Sequence, residues 1–141
     1  MTENRVHSLD HAVNVTKEWL KQLQQEGGYD SQEDACTALR EVLHALRDRL
    51  PPEEVVDLAA QLPLVVRGIY YDGWKPAKTQ IKLKNPSEFT EKVKENLAGK
   101  RPVDPEKSTK AVLNLLNKKV SKGEIYDLKA NLPDSFAQLF C

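Results

Sequence analysis

Apolar residues recur at helical spacing along almost the whole chain, and the pattern divides it into eight helical segments. The first is predicted from Ser8, as N-cap, to the Gly27-Gly28 stop, with Leu9, Ala12, Val13, Thr16, Leu20 and Leu23 on the inward face and Trp19 beside it. The second opens at Ser31 and buries Ala35, Leu39, Val42, Leu43, Leu46 and Leu50. It leaves Arg40, Glu41, Arg47 and Asp48 for water. A short third segment follows Pro51-Pro52 with Val55, Leu58 and Leu62 at i, i+3 and i+7. Pro63 ends it and starts a fourth, Leu64–Tyr70.

The same four-part pattern then returns. Phe89, Val93 and Leu97 mark a fifth segment after Pro86. Asp104-Pro105 opens a sixth, carrying Val112, Leu113, Leu116 and Val120. Ile125, Leu128 and Leu132 mark a seventh, and an eighth covers Asp134–Phe140. Aligned at an offset of 70, residues 39–70 and 109–140 share nine identities in 32 pairs: Val42/Val112, Leu43/Leu113, Leu46/Leu116, Glu54/Glu124, Asp57/Asp127, Leu58/Leu128, Ala60/Ala130, Leu62/Leu132 and Pro63/Pro133. Most are core-type residues, so the repeat carries architecture more than chemistry. The expectation is an all-α fold of two tandem multi-helix repeats packed as one pseudo-twofold bundle through the second and third helices of each. Residues 1–70 form the first repeat, 71–82 the linker, and 83–141 the second.

Composition adds one asymmetry. The net charge is zero. Yet residues 1–70 hold 7 Lys+Arg against 12 Asp+Glu, and residues 71–141 hold 14 against 9, so the halves carry −5 and +5. An acidic and a basic half should attract each other across their interface. No apolar run approaches the ~20 residues that span a bilayer. The start lacks an apolar signal region, and the two cysteines, Cys36 and Cys141, make no disulfide framework, so a cytoplasmic setting is expected.

The string Leu-Arg-Glu-Val-Leu-His-Ala-Leu-Arg-Asp-Arg-Leu-Pro-Pro-Glu-Glu over 39–54, followed by Asp-Leu-Ala-Ala-Gln-Leu-Pro over 57–63, resembles a prokaryotic family known as domain of unknown function 2267. The resemblance covers most of the chain. The second copy departs from it, with Ser121-Lys122-Gly123 in place of the Pro-Pro-Glu turn. The resemblance implies an all-α fold and a bacterial origin. It assigns no activity and no catalytic residues.

Candidate chemistry is sparse. His7, Asp10 and His11 share helical spacing suited to a metal, but no third strong ligand lies near in sequence, and a solvated helix start explains them. Cys36 lies in a first helical turn, where the helix dipole favours a thiolate, yet its counterpart at offset 70 is Glu106 and no base adjoins it; a peripheral thiol is expected. Glu54/Glu124 and Asp57/Asp127 have the composition of an acid–base pair, but the third position of a helix suits a capping carboxylate, and duplicated acids read as structural. Each aspartate is expected to meet a basic side chain or backbone amide of its own repeat. No phosphate-binding glycine loop, Gly-x-Ser-x-Gly or His-Glu-x-x-His occurs. No catalytic residue, cofactor or metal is therefore assigned.

Two surfaces remain. Arg67, Tyr70, Tyr71 and Trp74 form a candidate partner surface, because aromatics beside arginine favour interfaces; the plainer reading is that they fill the seam between the copies. Lys75, Lys78, Lys82, Lys84, Lys118, Lys119 and Lys122 form a candidate anion surface, and the second and third segments have a helix-turn-helix outline. The expected function is a small non-catalytic protein-interaction or regulatory module with an unidentified protein partner. Nucleic-acid binding through the basic half is the alternative, and an enzyme of unknown class comes third.

Overall fold

A computed structural model describes residues 4–76 and 82–140. Eight helical elements follow in order: α1 (His7–Gly27), α2 (Gln32–Arg49), α3 (Pro52–Ala59), α4 (Leu64–Tyr71), α5 (Pro86–Leu97), α6 (Pro105–Lys119), α7 (Lys122–Ala130) and a 3-10 helix (Asp134–Phe140). Their boundaries follow local chemistry. Ser31, Asn85, Asp104 and Ser121 each cap a helix by accepting the backbone N–H three residues on. Pro52, Pro86 and Pro105 fill first-turn positions that need no N–H donor. Gly28, at φ 65°, ends α1 in the left-handed conformation that glycine adopts without a Cβ penalty.

The two longest pairs of helices build the middle of the molecule. α2 packs on α1, α5 and α6, and α6 packs on α1, α5 and the 3-10 helix. The buried apolar residues of both halves belong to one core, from Trp19 to Phe140. Members of the offset-70 pairs are buried together: Leu46 with Leu116, Leu58 with Leu128, and Leu62 with Leu132. Trp19 and Phe89 are also both buried, as are Leu23 and Val93. Phe89 meets Phe136 edge-on, with ring centroids 5.9 Å apart. α3 and α7 form a second, smaller contact with each other.

Several sequence expectations need correction. α1 starts at His7 with Val6 at the cap position and no side-chain cap, so Ser8 lies inside the helix. Its buried face is Ala12, Thr16, Trp19 and Leu23. Trp19 is therefore in the stripe, while Leu9 and Val13 are exposed. Leu9 precedes Ala12, the first buried residue of the helix, and Val13 is turned about 100° from Ala12, off the buried face. On α2, Glu41 and Arg47 are buried rather than wet, because the chain folds back over the face they occupy. The linker residues 77–81, including Lys78 and Ile81, lie outside the described residues.

Candidate functional site

The C-terminal end of α4 is held from α2 by three side chains at i, i+4 and i+7, spacings that place them on one helix face. Arg40 Nη1 donates to Asp72 Oδ2 at 2.7 Å. His44 Nε2 lies 2.7 Å from the carbonyl of Ile69. Arg47 Nη1 donates to the carbonyls of Tyr70 and Asp72, each at 2.9 Å, and its Nε to Asp48. The last carbonyls of a helix lack intrahelical donors and carry partial negative charge, so cations belong there. Arg40, by hydrogen bond and charge, holds the Asp72 carboxyl below the usual carboxylate range. Burial pushes the His44 imidazole below its ordinary value. Contact with a carbonyl requires an N–H on Nε2.

This clasp accounts for much of the predicted partner surface. Tyr70 is buried with no exposure, and its hydroxyl donates to the carbonyl of Val55. It cannot offer a contact face. Arg67 is half-buried; its Nε and Nη2 donate to the carbonyls of Ala59 and Leu62, bracing the end of α3 against α4. Tyr71 and Trp74 are half-buried, stacked at 5.5 Å, and packed on the core. The four residues lie close in space, but their polar groups and rings are largely engaged within the chain.

The lysines divide into two groups. Lys118 pairs with Glu26 of α1. The neighbouring basic residues behave alike: Arg101 reaches Glu33 and Asp34, and Lys100 Nζ lies 3.0 Å from Glu41 Oε2, a charge contact without hydrogen-bond alignment. All three join the basic half to the acidic half. Lys75, Lys82, Lys84, Lys119 and Lys122 are exposed. The helix-turn-helix outline does not give a basic reading helix in the first copy, since the exposed residues of α3 include Glu53 and Asp57.

His7 and His11 are exposed at the start of α1, and Asp10 pairs with Arg5. Among the described residues no group of three or more metal-type ligands is assembled. Cys36 is half-buried and its thiol is raised above the ordinary value by burial, so desolvation outweighs the helix terminus.

The acidic pairs differ from expectation. Asp57 and Asp127 are exposed, and among the described residues neither carboxylate meets a basic side chain or an amide. Glu54 and Glu124 are buried at the third positions of α3 and α7. The backbone N–H of Glu124 is capped by Ser121 Oγ, while the Glu54 side chain acts on Glu124 across the α3–α7 contact and each residue keeps one buried carboxyl oxygen without a partner among the described residues.

Sequence reasoning also missed an exposed apolar stripe. Val6, Leu9 and Val13 are 51%, 56% and 45% exposed. Leu9 and Val13, one turn apart, share a face of α1, and Val6 stands at the cap position just before it. The signal was present in the spacing, but it was assigned to the core.

The fold and its contacts define an all-helical bundle whose described helices include none long and apolar enough to cross a membrane. The family model described as an uncharacterized conserved protein (DUF2267) matches residues 16–139, nearly the whole chain, and the protein belongs to that family. No curated protein matches the chain.

Proposed function

We propose that the protein is a non-catalytic interaction module of cytoplasmic setting, and that the opening turns of α1 form its contact face for a protein partner. The observation that carries this reading is the Val6–Leu9–Val13 stripe. Three aliphatic side chains stand in water together at the cap and first two turns of one helix, whereas exposed Val56, Leu64 and Tyr126 lie on three separate elements. Helix-in-groove recognition uses anchors at i, i+3 and i+7, which is this spacing. The test is affinity capture from the native host with a photo-crosslinker at position 9, comparing wild type with Leu9→Asp/Val13→Asp. The variant should keep the wild-type melting temperature and lose the cross-linked partner. Capture of the same partner by both would overturn the reading.

Nucleic-acid binding by the basic half is the second reading, supported by the exposed Lys119 and Lys122 on either side of the α6–α7 turn. It requires affinity for DNA or RNA that falls steeply with salt. The ion pairs that engage Lys100, Arg101 and Lys118 within the chain weigh against it.

A further inference from the structure

We propose that Glu54 and Glu124 form a proton-held latch between α3 and α7, closed while the two carboxyls share a proton and loosened when that proton leaves. Four observations carry this. The side chains sit on two short helices that pack directly on each other. Their residues are only 6% and 8% exposed. The Glu54 carboxyl weighs on the charge of Glu124 across that contact, a repulsion that one proton held between the two would relieve. Glu54 Oε1 and Glu124 Oε2 are buried and have no hydrogen-bond partner among the described residues. An unpaired charge in such a place is costly, and two like charges are worse.

The surroundings offer no relief. α3 adds Asp57 and α7 adds Asp127, both negative, and both disfavour ionisation of Glu124. α4 contributes Tyr70, whose hydroxyl is engaged by Val55. From α2, Arg47 is directed to the carbonyls of Tyr70 and Asp72. α6 carries Lys118 and Lys119 and the 3-10 helix carries Asp134, all exposed, and none acts on Glu124. Exposed Lys122, two residues before Glu124 on α7, faces a different side of that helix. Burial first, then Glu54, raises Glu124 to about 8. One further tie crosses the contact: the backbone N–H of Ser121 donates to Gln61 Oε1 at 3.3 Å.

The direction follows from linkage. The closed latch retains a proton that the parted helices would release at an ordinary carboxyl value. Raising pH therefore favours opening, by about tenfold per pH unit while only the closed form is protonated. The rise should level off above about 8, where the closed form also ionises. Opening would uncover Val55 and Ile125, the buried neighbours of the two glutamates, so alkaline pH would present a new apolar surface.

The experiment is carboxyl-carbon NMR titration of the full chain, with amide exchange of α3 and α7 followed over pH 5–9 and corrected for intrinsic rates. One of the two glutamates should titrate near 8, and protection of α3 and α7 should fall with pH while that of α2 and α6 holds. Glu54→Gln, which keeps a donor and removes one acid, should return Glu124 towards its ordinary range and flatten the exchange profile. Ionisation of both glutamates below pH 6, or a wild-type profile flat to pH 9, would overturn the latch. So would an alkaline transition that persists in Glu54→Gln. If that variant does not fold, the wild-type titration alone decides.

Discussion

Arg47 donates to the carbonyl of Tyr70, and Asn117, 70 residues later, donates to the carbonyl of Phe140. In both places a side chain near the end of a long helix satisfies a carbonyl at the end of a short one. The two contacts are unequal. Arg47 is buried, bonds two carbonyls at 2.9 Å and brings a charge; Asn117 Nδ2 makes one bond at 3.3 Å at an exposed position. Arg47→Ala should therefore cost about 3 kcal/mol, since it strands buried acceptors, and Asn117→Ala about 1 kcal/mol or less. Urea melts of the two variants check this. Equal losses would show that the α4 end does not depend on the arginine.

The paired leucines should behave as pairs. Leu46 and Leu116, Leu58 and Leu128 are fully buried. Each Leu→Ala change should cost about 2–5 kcal/mol, the usual range for a leucine that leaves a cavity. Denaturant unfolding of the four variants measures it. A member that costs under 1 kcal/mol would mark a site able to collapse around the gap.

Residues 1–80 expressed alone should be aggregated, dimeric or partly unfolded. α2 buries its stripe against α5 and α6, and the fragment removes both. The ion pairs of Glu26, Glu33, Asp34 and Glu41 with Lys118, Arg101 and Lys100 would also be lost. Exposed pairs contribute only ~0–1 kcal/mol each, so the uncovered apolar face dominates. Sedimentation and a thermal melt distinguish the outcomes; a monomeric fragment with a cooperative transition would show that the first half folds by itself.

Acid should act through His44. Its value is lowered by burial, with Arg47 and Arg40 adding to the effect against Ile69 and Glu41. A histidine whose folded value lies below its unfolded value binds fewer protons when native. It stabilises the fold above the unfolded value, near 6.5, and that contribution is lost as pH falls through the folded value. His44→Gln keeps an N–H for the Ile69 carbonyl and cannot titrate in this range. Its stability between pH 6.5 and 5 should fall less than that of wild type, as read from melting temperature against pH. Identical slopes would remove His44 as the acid-sensitive group.

Much of this molecule was legible in the chain. Caps at Ser31 and Asp104, first-turn prolines and the 3.6-residue stripes of α2 and α6 set the helices locally, because those signals act within a few residues. The offset-70 spacing placed Leu46, Leu58 and Leu62 and their counterparts in the core for the same reason. What local spacing cannot decide is which face another element will cover. Glu41 and Arg47 read as wet until Lys100 and the end of α4 lie over them. Leu9 and Val13 read as core until the packing leaves one before the buried stretch and the other off its face. Tyr70 read either as a partner contact or as filler between the copies, and it is buried because α4 folds back onto α2 and α3. The Glu54–Glu124 contact was the least legible. Each residue alone fits a capping carboxylate, and only packing α3 on α7 makes two acids share one dry site, where burial and like charge raise Glu124 above the usual carboxylate range.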